Sequence, residues 1–239
     1  MRFVVCPWCC NKTYFSEVNS YVKKVTTVFK LNADDTNANY MRAYMKSNAD
    51  FLGIKTPLRE ELSKPFLLKD KLPSLNETID VVSELWEYPY REIKYFALTI
   101  LEKKVKELGA HHLVLCENLV QDESWWDTVD FIAARITGRV LYRLDHLQDK
   151  YSTAWNNHPD KWMNRMGIIY QLKFKDKTNQ HTLFHNCETH ADSKEFFIQK
   201  AIGWALREYT KTNPTAVQRF VAETRLKPLS KREALRLVK

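Results

Sequence analysis

Only five glycines stand in the 239 residues, about 2% where roughly 7% is usual, and they are scattered at Gly53, Gly109, Gly138, Gly167 and Gly203. The Walker-type phosphate loop and the dinucleotide-binding fingerprint both need glycines within a few residues of each other, so neither can exist here. A hairpin-rich all-β fold, which places glycine at positive-φ turns, is disfavoured for the same reason.

Apolar residues instead recur at helical spacing through most of the chain, and strand-like alternation is scarce. Helix starts are marked by an N-cap acceptor three residues before a carboxylate, at Ser74/Glu77, Ser124/Asp127, Asp192/Glu195 and Ser230/Glu233. Asn213-Pro214 adds a cap followed by proline. The pattern predicts helices near residues 20–30, 38–50, 57–64, 76–87, 90–107, 111–121, 125–141, 144–156, 159–174, 180–190, 193–211, 214–223 and 231–239. Short connections imply antiparallel pairs. Apolar helices opening at Arg91, Trp126, Arg165 and Phe197 recur every 30 to 40 residues or so, a period that suits two-helix repeats. The expected fold is all-α, a HEAT-like helical-repeat solenoid with a basic concave groove; an irregular helical bundle is the alternative. Residues 1–18 differ in composition and are expected to be an N-terminal extension to a domain spanning 19–239.

Lys and Arg number 37 and Asp and Glu 29, a formal charge of +8 that favours a polyanionic partner, although a merely soluble basic surface explains it equally well. No apolar run approaches the roughly 18 residues of a membrane span, and Pro7 and Asn11 interrupt the first stretch before it could serve as a secretory signal. Five cysteines without regular spacing fit a reducing, intracellular compartment. Within Cys6-Pro-Trp-Cys9-Cys10 the C-x-x-C is half a zinc site without a second half, and His181, His185, Cys187 and His190 read as a polar helix face. No metal or other cofactor is expected.

Helix 125–141 is the most informative. Its core stripe is Trp125, Val129, Ile132, Ile136 and Val140, which leaves Trp126 and, one turn later, Asp130 on a different face. Arg165 stands one residue off the stripe of the 159–174 helix, and Trp204 lies at the edge of the stripe Ile198, Ile202, Ala205 and Tyr209. Trp126, Arg165 and Trp204 are equally spaced, so repeats of that period would bring them onto one surface with Asp130 among them. Indole faces attract cations, a carboxylate stabilises developing positive charge, and arginine grips phosphate. Such a set suits a substrate that carries phosphates and becomes cationic at a sugar. Taken singly, each tryptophan is more often core filler than ligand contact, and Arg165 could equally form an ordinary salt bridge with Asp130.

The motifs Phe51-Leu-Gly-Ile-Lys-Thr-Pro57, Leu85-Trp86 with Arg91-Glu92, Ser124-Trp-Trp-Asp-Thr-Val-Asp130, the run Ser193 to Tyr209 and Pro228-Leu-Ser-Lys-Arg-Glu-Ala234 resemble the AlkD family of DNA alkylation repair glycosylases. The resemblance covers about residues 19 to 239. It implies a HEAT-like solenoid that holds duplex DNA containing alkylated purines and hydrolyses the N-glycosidic bond of N3-alkyladenine and N7-alkylguanine, without cofactor and without inserting the lesion into a pocket. It also implies a monomer working on DNA with no membrane, in base excision repair. By the same resemblance Asp130, Trp126, Trp204 and Arg165 are the catalytic set. Arg165 is expected to fix a phosphate beside the lesion, and the basic residues Arg207, Lys231 and Arg232 to neutralise the duplex backbone. Some relatives lack the carboxylate and with it the activity; Asp130 is present here. A non-catalytic HEAT-like protein that binds DNA structure would keep the basic surface without needing Asp130, and a protein-binding scaffold would need neither.

Overall fold

A computed structural model describes residues 12–122 and 124–238, with side chains from residue 20 onwards. Among the described residues the chain is helical throughout and no strand forms; a single isolated bridge joins Asp50 and Tyr90. Two compact units divide it, one up to Lys104 and one from Val105.

The first unit contains α1 (Lys12–Leu31), α2 (Asp35–Tyr44), α3 (Thr56–Ser63), α4 (Leu75–Trp86) and α5 (Arg91–Lys103). Asp34 caps α2 through the Asn37 amide, and the predicted Ser74/Glu77 capping box opens α4, with each side chain accepting from the other's backbone N–H. Val22, Val25 and Phe29 of α1 meet Val81, Val82 and Leu85 of α4 and Ile93, Phe96 and Ile100 of α5 in the core, where Phe29 and Phe96 pack edge to face at 5.6 Å. The loop before α3 is tied to α5 by Glu92. Its carboxylate accepts from the backbone amides of Leu52 (2.9 Å), Gly53 (2.9 Å) and Ile54 (3.0 Å). Three successive amides converge on one carboxylate because Gly53 takes φ +84°, and a Cβ there would lie 2.0 Å from the Asp34 carbonyl oxygen.

The second unit contains α6 (Leu113–Gln121), α7 (Trp126–Phe131), a π-helical stretch (Ile132–Thr137) that runs on into α8 (Gly138–Arg143), α9 (Gln148–Asn156), α10 (Lys161–Ile169), α11 (Gln180–Thr189), α12 (Phe196–Thr210), α13 (Pro214–Glu223) and α14 (Pro228–Ala234). Helix α10 is its centre, packed against α7 and the π stretch on one side and α9 and α12 on others, and buried at every residue from Trp162 to Ile169. A helix buried all round must satisfy whatever polar groups it carries. Asn164 does so by donating to the carbonyls of Trp155, Asn156 and His158. Gly138 allows close approach of the α8 turn to α10, since a Cβ there would sit 2.2 Å from the Tyr170 carbonyl oxygen.

Three predicted helix starts are displaced. Ser124 is not the cap of α7: Trp125 holds that position without a side-chain bond, because the Ser124 hydroxyl turns back to donate to the Val120 carbonyl at the end of α6. Helix α12 begins after Glu195 rather than at Asp192, with the Ser193 hydroxyl accepting from the Glu195 amide. Ser230 lies inside α14, which proline starts two residues earlier, and its hydroxyl donates to the Gln199 carbonyl. The Asn213-Pro214 start of α13 is as predicted. Helix α1 runs unbroken across the expected boundary at residue 18, and the α10 helix ends at Ile169, short of the predicted 174. The cysteines Cys6, Cys9 and Cys10 lie outside the described residues.

Candidate active site

Arg165 is the charged group that α10 carries into the second unit's interior, with its side chain only 5% exposed. A guanidinium this deep needs a charge partner and acceptors for its fork of donors. Asp130 supplies both: Arg165 Nε donates to Oδ1 at 2.7 Å and Nη2 to Oδ2 at 2.8 Å, a bidentate pair. Nη1 donates to the Phe197 carbonyl at the start of α12. The pair therefore joins α7, α10 and α12. Around it Trp125, Trp162 and Phe197 form an aromatic cluster, with centroids 5.6 Å apart for Trp125 and Trp162, 4.9 Å for Trp125 and Phe197 and 5.1 Å for Trp162 and Phe197. The guanidinium stands 6.0 Å from the Phe197 ring centroid.

Asp130 is held from one side only. Its other side opens on a cleft of about 280 Å³ whose walls include Phe131, Ala134, Trp204 and Glu208, with Asp127, Arg135 and Lys173 adding charge. Burial pushes the Asp130 carboxyl above the usual carboxylate range, and the nearby Asp127 charge adds to the rise; the hydrogen bonds and charge of Arg165 pull against it.

Not all of the predicted site residues meet. Asp130 and Trp204 face one cleft, Arg165 stands behind Asp130, and Trp126 is partly exposed one turn before Asp130 without lining that cleft. Arg207 is ion-paired with Glu233 at 2.6 Å, where Lys200 also reaches the same carboxylate at 3.0 Å. Lys231 and Arg232 are exposed on α14. Sequence reasoning missed Phe131, Ala134, Glu208, Lys173 and the Phe197 carbonyl. Glu208 was within reach of the helix arithmetic, since it follows Trp204 by one turn; Lys173 was not, because the helix predicted to run to 174 ends at Ile169 and Lys173 sits in the loop beyond it.

Among the described residues no group of three or more His, Cys, Asp or Glu side chains could hold a metal ion. His181 and His185 stack with centroids 6.4 Å apart on the exposed face of α11, whereas Cys187 is buried. No helix among the described residues is long and apolar enough to cross a membrane.

The surroundings of Asp130 can be compared with known proteins. Residues 25–238 match the model of a family described as DNA alkylation repair enzyme. A solved structure described as a predicted DNA alkylation repair enzyme from Enterococcus faecalis superposes with a TM-score of 0.82 at 30% identity, over 86% of this chain and 96% of that one. A search among curated proteins gave no match. The match takes in both helical units and every residue of the Asp130 site, and the chain belongs to the DNA alkylation repair enzyme family.

Proposed function

We propose that the protein is a DNA glycosylase of the AlkD type, which hydrolyses the N-glycosidic bond of N3- and N7-alkylated purines in duplex DNA. The observation that carries this reading is a carboxylate fixed by a bidentate guanidinium on one side and open to an indole-walled cleft on the other.

Alkylation at N3 or N7 makes the purine cationic, so the base leaves without a general acid. As the bond from the sugar C1′ to the base nitrogen stretches, its electron pair goes to the base, which departs neutral, and positive charge develops on the deoxyribose. Asp130 stabilises that charge and orients the attacking water, whose oxygen bonds to C1′ and whose proton passes to solvent. The Trp204 face, in the same cleft, packs against the sugar and attracts its developing charge. Trp126 contributes a second indole on the approach to Asp130. With three hydrogen bonds inside the protein, Arg165 acts through Asp130 as its positioning residue rather than as an open phosphate grip. The formal charge of +8, with exposed Lys231 and Arg232, supports a duplex backbone as partner.

A fixed carboxylate of this kind contributes roughly 3 kcal/mol, on the order of a hundredfold in rate. That suffices only for a labile bond, so the expected substrates are cationic lesions and not neutral ones such as uracil. Release of 7-methylguanine from methylated duplex should slow about a hundredfold in Asp130→Asn, which keeps the shape and one acceptor for Arg165. Equal rates for the two proteins would remove the carboxylate from the mechanism. Duplex binding by the wild type without any base release would point instead to a non-catalytic DNA-structure binder.

A further inference from the structure

A second cleft of about 190 Å³ adjoins the first and shares two of its wall residues, Leu172 and Glu208. Between them runs the loop from α10 to α11, where Lys173, Lys175 and Lys177 alternate within five positions, all exposed. Lys173 lines the Asp130 cleft and Lys175 the neighbouring one. The shared carboxylate, Glu208, is already neutralised by Lys211 at 2.6 Å.

The loop is fastened rather than loose. Gln171 is 4% exposed and clasps Asn179 in both directions, its Oε1 accepting from the Asn179 amide (2.8 Å) and its Nε2 donating to the Asn179 carbonyl (3.3 Å). Phe174 is buried between Tyr142 and Tyr170, edge to face with each, and the Lys177 ammonium lies 5.4 Å from the Tyr142 ring centroid. Lys175 is held at φ +55°, a left-handed conformation that a residue with a side chain adopts only when its surroundings impose it. Neither Lys173 nor Lys175 has a protein acceptor among the described residues, whereas Arg165 and Arg207 are both committed to carboxylates.

We infer that the 171–179 loop is a preset phosphate clamp, in which Lys173 and Lys175 take neighbouring backbone phosphates of the DNA strand whose sugar faces Asp130. The inference rests on the glycosylase reading. It assigns the grip beside the reacting sugar to the two lysines that are free to make it. Holding the backbone that carries the two lysines in place before the substrate arrives reduces the ordering that binding would otherwise require.

The test is equilibrium binding of a fluorescently labelled undamaged duplex over a series of salt concentrations, with Lys173→Ala/Lys175→Ala and Lys173→Arg/Lys175→Arg beside the wild type. Each phosphate contact contributes about 0.9 to the slope of log affinity against log salt. The alanine pair should therefore flatten the slope by about two and weaken binding about 10- to 50-fold near 100 mM salt, and the arginine pair should restore both. A steep wild-type slope left unchanged by the alanine pair overturns the clamp and leaves the glycosylase reading standing, as does an arginine pair that fails to restore binding. A wild type with no salt-sensitive affinity for duplex overturns both.

Discussion

Glu92 in the first unit and Asp130 in the second are both acidic side chains brought to the interior by a helix, and their oxygens are met in different ways. Glu92 is 1% exposed, and its carboxylate accepts three backbone amides from one loop. Asp130 accepts from a single guanidinium, keeps 16% of its side chain exposed and borders a cleft. A carboxylate ringed by backbone donors has no direction left in which to act on a ligand, and its removal strands several buried donors at once. One held from behind keeps an open side, and the burial that raises its pKa also strengthens its field at a neighbouring atom. The difference separates a carboxylate that holds a fold from one that can stabilise a cation.

The largest effect should follow from breaking the first arrangement. Glu92→Ala leaves the amides of Leu52, Gly53 and Ile54 buried without their acceptor, at about 1–3 kcal/mol each, so a total loss of about 3–9 kcal/mol is expected. Urea unfolding measures it. Asp130→Asn should lose less than half of that in the same experiment, because the amide oxygen still faces Arg165, while the rate of base release falls about a hundredfold. Comparable stability losses in the two variants, with no change in rate, would erase the distinction between the two carboxylates.

A pH profile sharpens it. In the proposed mechanism Asp130 acts as the anion, so activity should fall on acidification as the carboxyl takes up its proton. Because burial raises its pKa, that fall should be centred above the roughly 3.9 of an ordinary aspartate. Single-turnover release of 7-methylguanine, corrected for spontaneous loss, should show this acid limb in the wild type and none in Asp130→Asn. An acid limb retained by the variant would assign the titration to another group.

How far this contrast could be read from sequence depends on the distance over which each interaction acts. The positions of Asp130 off its helix's apolar stripe and of Trp204 at the edge of its own follow from helix periodicity, and both residues line the cleft. The Asp130–Arg165 pair stood in the sequence only as one alternative for Arg165, since nothing local fixes which of its neighbours a guanidinium meets. The bond from Glu92 to residues 52–54 spans about forty positions, and the motifs on either side carry no local sign of it. Capping was legible at Ser74 and Asn213, where the side chain has only its own helix to serve. It failed at Ser124, whose hydroxyl a preceding carbonyl draws away. The π stretch left one trace, two successive spacings of four at Ile132, Ile136 and Val140, which an α-helix can also produce. Lys173 left none, because the helix expected to carry it ends at Ile169 and a loop residue beyond that end obeys no face arithmetic.

The smallest effect tests the cleft wall. Trp204 is partly exposed and lines the cleft beside Asp130. Trp204→Phe keeps an aromatic face with a weaker pull on a cation, a difference of about 0.5–1 kcal/mol and hence a two- to fivefold slower release. Since the indole borders open space, the same change should alter unfolding stability by less than about 1 kcal/mol. The sign of the contrast is what matters: around Glu92 any change should register in stability, and around Asp130 a change in the wall should register in rate. A Trp204→Phe protein that is clearly destabilised yet releases base at the wild-type rate would make the indole core packing, and the open side of Asp130 would then lack the wall on which the proposed selectivity for a cationic sugar depends.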